Sequence, residues 1–178
     1  MPSIRYLAAG LAAAVIATPA LAQTCVQPAE KTAFEVRALQ SQLMVAALAC
    51  QQDEQYNTFV RQYSNELSSA YRGINSHYRR TVGARGQSSL DGYITQLANA
   101  HSQDGIRQGT NFCRNVLPLF AAALASPKSA EGLATVAAQN NLSNPHGRPE
   151  CTTATPAARP AAPARSRTNV RRVSAKGN

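Results

Sequence analysis

The sequence predicts an all-α protein: an up-and-down bundle of about four helices with two disulfides and a disordered C-terminal tail. Three observations point there. Apolar residues recur at spacings of three and four from Glu30 to about Asn140, with almost no period-2 alternation. Four cysteines stand far apart, at positions 25, 50, 113 and 151. Residues 152–178 are mostly Ala, Pro, Arg, Ser and Thr, with Val170 and Val173 the only larger apolar side chains. Such a segment buries too little apolar surface to offset its ordering entropy.

Residues 1–22 read as a secretion signal. Arg5 precedes an almost unbroken apolar run from position 6 to 16, and Ala20-Leu21-Ala22 supplies an A-x-A cleavage pattern. Cleavage after Ala22 is expected, giving a periplasmic or secreted chain that begins at Gln23. A spanning helix needs about 20 consecutive apolar residues, and Pro19 breaks the run before that length. No transmembrane segment is expected in the mature chain. Cys25 just past the cleavage point raises lipidation as an alternative, but Gln23 and Thr24 stand where small residues are wanted.

The helices follow in order. Val36, Leu39, Leu43, Ala46 and Cys50 form the stripe of the first. Tyr56, Phe59, Tyr63, Leu67, Ala70, Ile74 and Tyr78 form the second, out of phase with the first. A break near 51–55 follows, with Asp53 as the expected N-cap. Two glycines and a loss of phase predict a turn over 81–86, after which Ser88 or Ser89 caps a third helix. Its stripe runs Leu90, Ile94, Leu97, His101, Gly105, Gly109, Phe112 and Val116, read as one continuous or kinked helix. Pro118 is expected to bend or end it near Asn115. A short apolar helix over 119–125 comes next, then Ser126-Pro127 as the cap leading into residues 130–139.

The domain reading is therefore signal 1–22, helical body 23–151 and basic tail 152–178. The body holds eleven basic and nine acidic residues, so the formal charge of +9 mostly describes the tail, with Arg159, Arg165, Arg167, Arg171, Arg172 and Lys176. The body shows no basic stripe of the kind a nucleic-acid-binding fold carries, and no specific nucleic-acid partner is expected. The tail is expected to contact an anionic envelope polymer, or another envelope protein, with little selectivity and strong salt dependence. A plain solubilising role for it stays open.

Exported cysteines at long spacing read as disulfides, and four allow three connectivities. If the first three helices run up, down and up, Cys50 and Cys113 lie near the same end. A returning segment then brings Cys151 to Cys25. The expected pairs are Cys50–Cys113 and Cys25–Cys151.

No C-x-x-C, G-x-S-x-G, H-E-x-x-H or glycine-rich phosphate loop occurs. No enzyme activity, cofactor or metal site is expected. Asp53 and Glu54 read as helix-start acids. His101 reads as a core histidine and His146 as a solvated loop residue. Arg79, Arg80 and Arg85 make a small basic knuckle at a turn. An interhelical groove lined by Tyr63, Tyr71, Leu97 and His101 is the alternative binding feature, suited to a small or amphipathic ligand.

Residues 38–50 (ALQSQLMVAALAC) followed by 56–60 (YNTFV), and 99–103 (NAHSQ) leading to 109–113 (GTNFC), carry a resemblance. They resemble small exported proteins of Gram-negative bacteria with no characterised function. The resemblance covers about residues 30–120. It implies a periplasmic or secreted helical protein with Cys50 and Cys113 as a matched pair, and it implies no activity. The expected function is a non-enzymatic interaction or structural module of the cell envelope, with the ligand carrier as its rival.

Overall fold

Of the five residues of positive φ among the described ones, three turn the chain from one helix toward the next: Gln51 (57°), Gly83 (60°) and Gly109 (54°). Each ends a helix. The computed structural model describes residues 24–151, and six helices run through them: α1 Pro28–Cys50, α2 Asp53–Gln62, α3 Ser64–Val82, α4 Gly86–Gln108, α5 Phe112–Leu124 and α6 Ala130–Gln139. Single 3-10 turns, Gly83–Arg85 and Gly109–Asn111, link α3 to α4 and α4 to α5. Both expected processing and tail segments, 1–22 and 152–178, lie outside the described residues.

Helix α1 is buried on more than one face. Besides Val36, Leu39, Leu43 and Ala46 it buries Ala33, Phe34, Ala38, Ser41, Gln42 and Ala47. It packs against each of the other five helices, so the expected single stripe understates its burial. The stripe of the second segment holds from Phe59 to Tyr78, but one residue, Tyr63, interrupts the helix and separates α2 from α3. The Tyr63 hydroxyl lies 2.8 Å from the Ala123 carbonyl and 2.7 Å from that of Ser126. Gln62 Nε2 donates to the Leu124 carbonyl at 2.9 Å. The end of α5, whose last carbonyls have no intrahelical donor, is thus closed by side chains from the α2–α3 junction.

The third segment differs from expectation. It breaks at Gly109, whose φ of 54° and ψ of −130° are open to glycine alone. Phe112 then starts α5 rather than continuing α4. Pro118 sits inside α5 and does not end it. Arg114 and Pro118 are both exposed, so the carbonyl that loses its donor lies on the solvent side, where water replaces the bond.

The expected caps also moved. Gln52 precedes α2, and Asp53 is its first residue. Helix α4 begins at Gly86, ahead of Ser88 and Ser89, because the 3-10 turn runs straight into it; Ser88 Oγ donates instead to the Arg85 carbonyl at 3.1 Å. Ser129, rather than Ser126, caps α6 by accepting from the Gly132 N–H at 3.0 Å. Residues 126–129 fold back over the first turn of α6.

Both expected disulfides are present, with Cα separations of 4.9 Å for Cys25–Cys151 and 5.6 Å for Cys50–Cys113. The first is reinforced by backbone. Val26 N–H donates to the Pro149 carbonyl at 2.9 Å, and Cys151 N–H donates to the Val26 carbonyl at 2.8 Å. The first and last of the described residues therefore meet at the N-terminal end of α1.

A Cβ at Gly132 would stand 2.8 Å from both the Pro127 carbonyl oxygen and Ser126 Oγ. Gly132→Ala should therefore destabilise by about 1–3 kcal/mol, although helix propensity alone predicts a gain of about 1 kcal/mol. Urea unfolding of the two proteins decides the sign.

Candidate functional site

Of the four buried polar residues among the described ones, Ser41, His77 and His101 are tied into structural pins. His101 is completely buried and bridges three elements. Its Nε2 lies 2.9 Å from the Ser143 carbonyl, so that nitrogen carries the proton, and Nδ1 accepts from the Ser41 hydroxyl at 3.1 Å. This is a fully satisfied neutral imidazole. Burial holds its pKa below the ordinary histidine value, with the Ser143 carbonyl pulling the other way.

A second pin lies at the Cys25–Cys151 end. Glu30 accepts from the Gln27 backbone N–H at 2.8 Å, from Arg80 at 2.7–2.8 Å, and from His77 Nδ1 at 2.9 Å. Arg80 also donates to the Cys25 carbonyl at 3.1 Å. Burial works against the Glu30 carboxylate, but Arg80, the Gln27 amide and His77 together outweigh it and hold its pKa below the usual value. Arg80 thus leaves the expected basic knuckle, where Arg79 and Arg85 stay exposed. His146 is not solvated as expected: its ring packs 4.9 Å from that of Phe34, and burial lowers its pKa.

The four residues expected to line one groove do not do so. Tyr63 and His101 are fully buried with their polar atoms bonded inside, Leu97 is core, and Tyr71 is exposed on α3. The tail residues Arg159, Arg165, Arg167, Arg171, Arg172 and Lys176 lie outside the described residues. Among the described residues no three His, Cys, Asp or Glu side chains converge as a metal ion requires.

The groove that does form is elsewhere. A cleft of about 540 Å³ opens between the C-terminal ends of α1 and α4, with Phe112 and Cys113 of α5 closing one side. No charged residue lines it. Val45, Ala49 and Gly105 form part of its wall, and a Cβ at Gly105 would make ordinary contact with the Phe112 ring at 3.5 Å. Two large apolar side chains stand at it in water: Leu48, 73% exposed, and Ile106, 69% exposed. The Cys50–Cys113 disulfide holds α1 and α5 together beside it. Such a surface offers apolar contact with few polar demands, the chemistry of an acyl chain or an apolar partner face. A sequence sign existed: Leu48 and Ile106 each fall off the apolar stripe of their own helix.

The histidine pin fixes a pH dependence. The folded state holds His101 below its ordinary pKa, so as pH falls the unfolded chain binds the proton first. Stability from this group is complete above about pH 6.5 and is lost as pH drops through and below that value. The melting temperature should fall between pH 7.5 and 5.5. His101→Gln should melt lower at pH 7.5 yet show a shallower pH slope, which calorimetry at both pH values will register.

Compared with known proteins, the chain matches no family model, no curated protein and no solved structure, so its site is read from its own residues alone.

Proposed function

We propose that the chain is a non-enzymatic interaction protein of the cell envelope, exported by its signal segment. Its helical body presents the apolar cleft under Leu48 and Ile106, and its basic tail contacts anionic envelope polymer or another envelope protein. The observation that carries this reading is that cleft, a preformed apolar surface stapled by a disulfide. Two disulfides suit an oxidising compartment. Among the described residues no helix is long and apolar enough to cross a membrane. The cleft lies at the C-terminal end of α1, and residue 151, from which the tail continues, lies at the other. The cleft meets α1 at Val45–Ala49, about 30 Å along the helix from Pro28, so tail and cleft can engage different partners at once.

Deleting residues 152–178 tests the tail. The full chain should be retained on immobilised lipopolysaccharide at low ionic strength and released by salt, and the shortened chain should pass through. Equal retention of both overturns the assignment of binding to the tail.

A second reading, carriage of a small amphipathic ligand, is favoured by the same cleft and replaces the expected tyrosine-lined groove. Lauric acid and lysophosphatidylcholine should raise the melting temperature of the protein. Leu48→Ser with Ile106→Ser should abolish that rise at little cost to the fold, because both side chains are exposed. A flat thermal response of the parent protein removes this reading.

A further inference from the structure

A second cleft, of about 400 Å³, opens where α4, α5 and the end of α6 meet the middle of α1. Its lining is of another kind. Gln42, Gln108, Asn115 and Asn141 bring side-chain amides to it. Asp104 and Arg107 stand on its wall as an ion pair, and the carboxylate also accepts from the Ser143 hydroxyl at 2.8 Å. That pair cancels its own charge. The cleft therefore offers many donors and acceptors with no net charge, and Val116, Leu119 and Leu142 give it an apolar strip.

Gln42 decides what the cleft is for. It is only 5% exposed, in the middle of the most buried helix. Its amide makes no hydrogen bond to another described residue, and because it is not fully enclosed it opens onto the cleft. Buried side-chain amides are ordinarily paired within the protein, because leaving one unpaired is costly. Here the amide reaches the outside only through the cleft it lines. Asn115 Nδ2 donates to Gln108 Oε1 at 2.9 Å, which orients that pair and leaves the Gln108 N–H groups and the Asn115 carbonyl to a ligand.

We propose that this cleft binds a neutral saccharide. A sugar hydroxyl both donates and accepts, and a side-chain amide matches it with one group of each kind. The C–H face of a pyranose ring covers an apolar strip such as the one formed by Val116 and Leu119. A charged ligand would find no free counter-charge, because Asp104 and Arg107 already neutralise one another. An acyl chain would strand the amides. The volume falls in the range of small-molecule sites and suits about one or two sugar rings. This site is separate from the apolar cleft and does not depend on what that cleft takes.

The test is titration of the full chain with N-acetylglucosamine, its β-1,4-linked dimer, glucose and maltose, followed by NMR of the side-chain amides. At least one sugar should shift the Gln42, Gln108 and Asn115 amide signals saturably. Gln42→Leu keeps the bulk and removes the amide. It should loosen that sugar by about tenfold or more while the melting temperature stays level or rises. Gln108→Ala, at an exposed position, should loosen it as well without touching the core. Flat titrations with all four sugars overturn the proposal. So does full affinity in both variants, or binding of zwitterionic glycylglycine as tight as that of the best sugar.

Discussion

The burial of α1 is the constraint on which the rest of the structure depends. A helix that touches five others buries much of its circumference, so polar residues on its buried faces call for partners. Ser41 is matched by His101 and Glu30 by Arg80 and His77. These contacts come from α3 and α4, and through His101 also from the loop at Ser143. Removing one partner of such a buried pair costs more than the pair itself contributes, because the other is left without water or protein. The polar pins therefore set how α3 and α4 are placed around α1, while the apolar contacts supply most of the attraction.

Gln42 stands out against that pattern. Ser41 beside it is matched by His101, whereas the Gln42 amide makes no bond to a described residue and faces the cleft. That contrast, more than the shape of the cleft, is what turns a polar hollow into a site.

The fold was legible where helices are one-sided. The stripes of α2, α3 and α4 marked their buried faces, and the order of helices was enough to pair the cysteines. Legibility failed for physical reasons that differ from place to place. The residues after Gly109 keep the spacing of three and four, so Phe112 and Val116 looked like more of the same helix. Pro118 looked like a breaker because sequence does not show that its side of α5 faces water. Ser126-Pro127 carries a familiar start signal, but the chain needs those residues for the fold-back that Gly132 permits. The alternative groove did not form because a tyrosine's polar tip suits a ligand or a buried carbonyl equally, and Tyr63 uses its hydroxyl to close α5. The real apolar cleft is shared by three helices, and only the out-of-phase Leu48 and Ile106 announced it.

The two disulfides have a mechanical meaning. One clamps the chain beside the N-terminal end of α1 and the other sits at its C-terminal end. A pull applied to the chain beyond Cys151 crosses at once into Cys25, travels the length of α1, and at Cys50 crosses again into Cys113. The covalent load path contains one helix. Helices α2, α3 and α4 lie on the loop between Cys50 and Cys113, and α5 and α6 lie between Cys113 and Cys151, so a pull between Cys151 and Cys50 takes its shorter covalent route along the axis of α1.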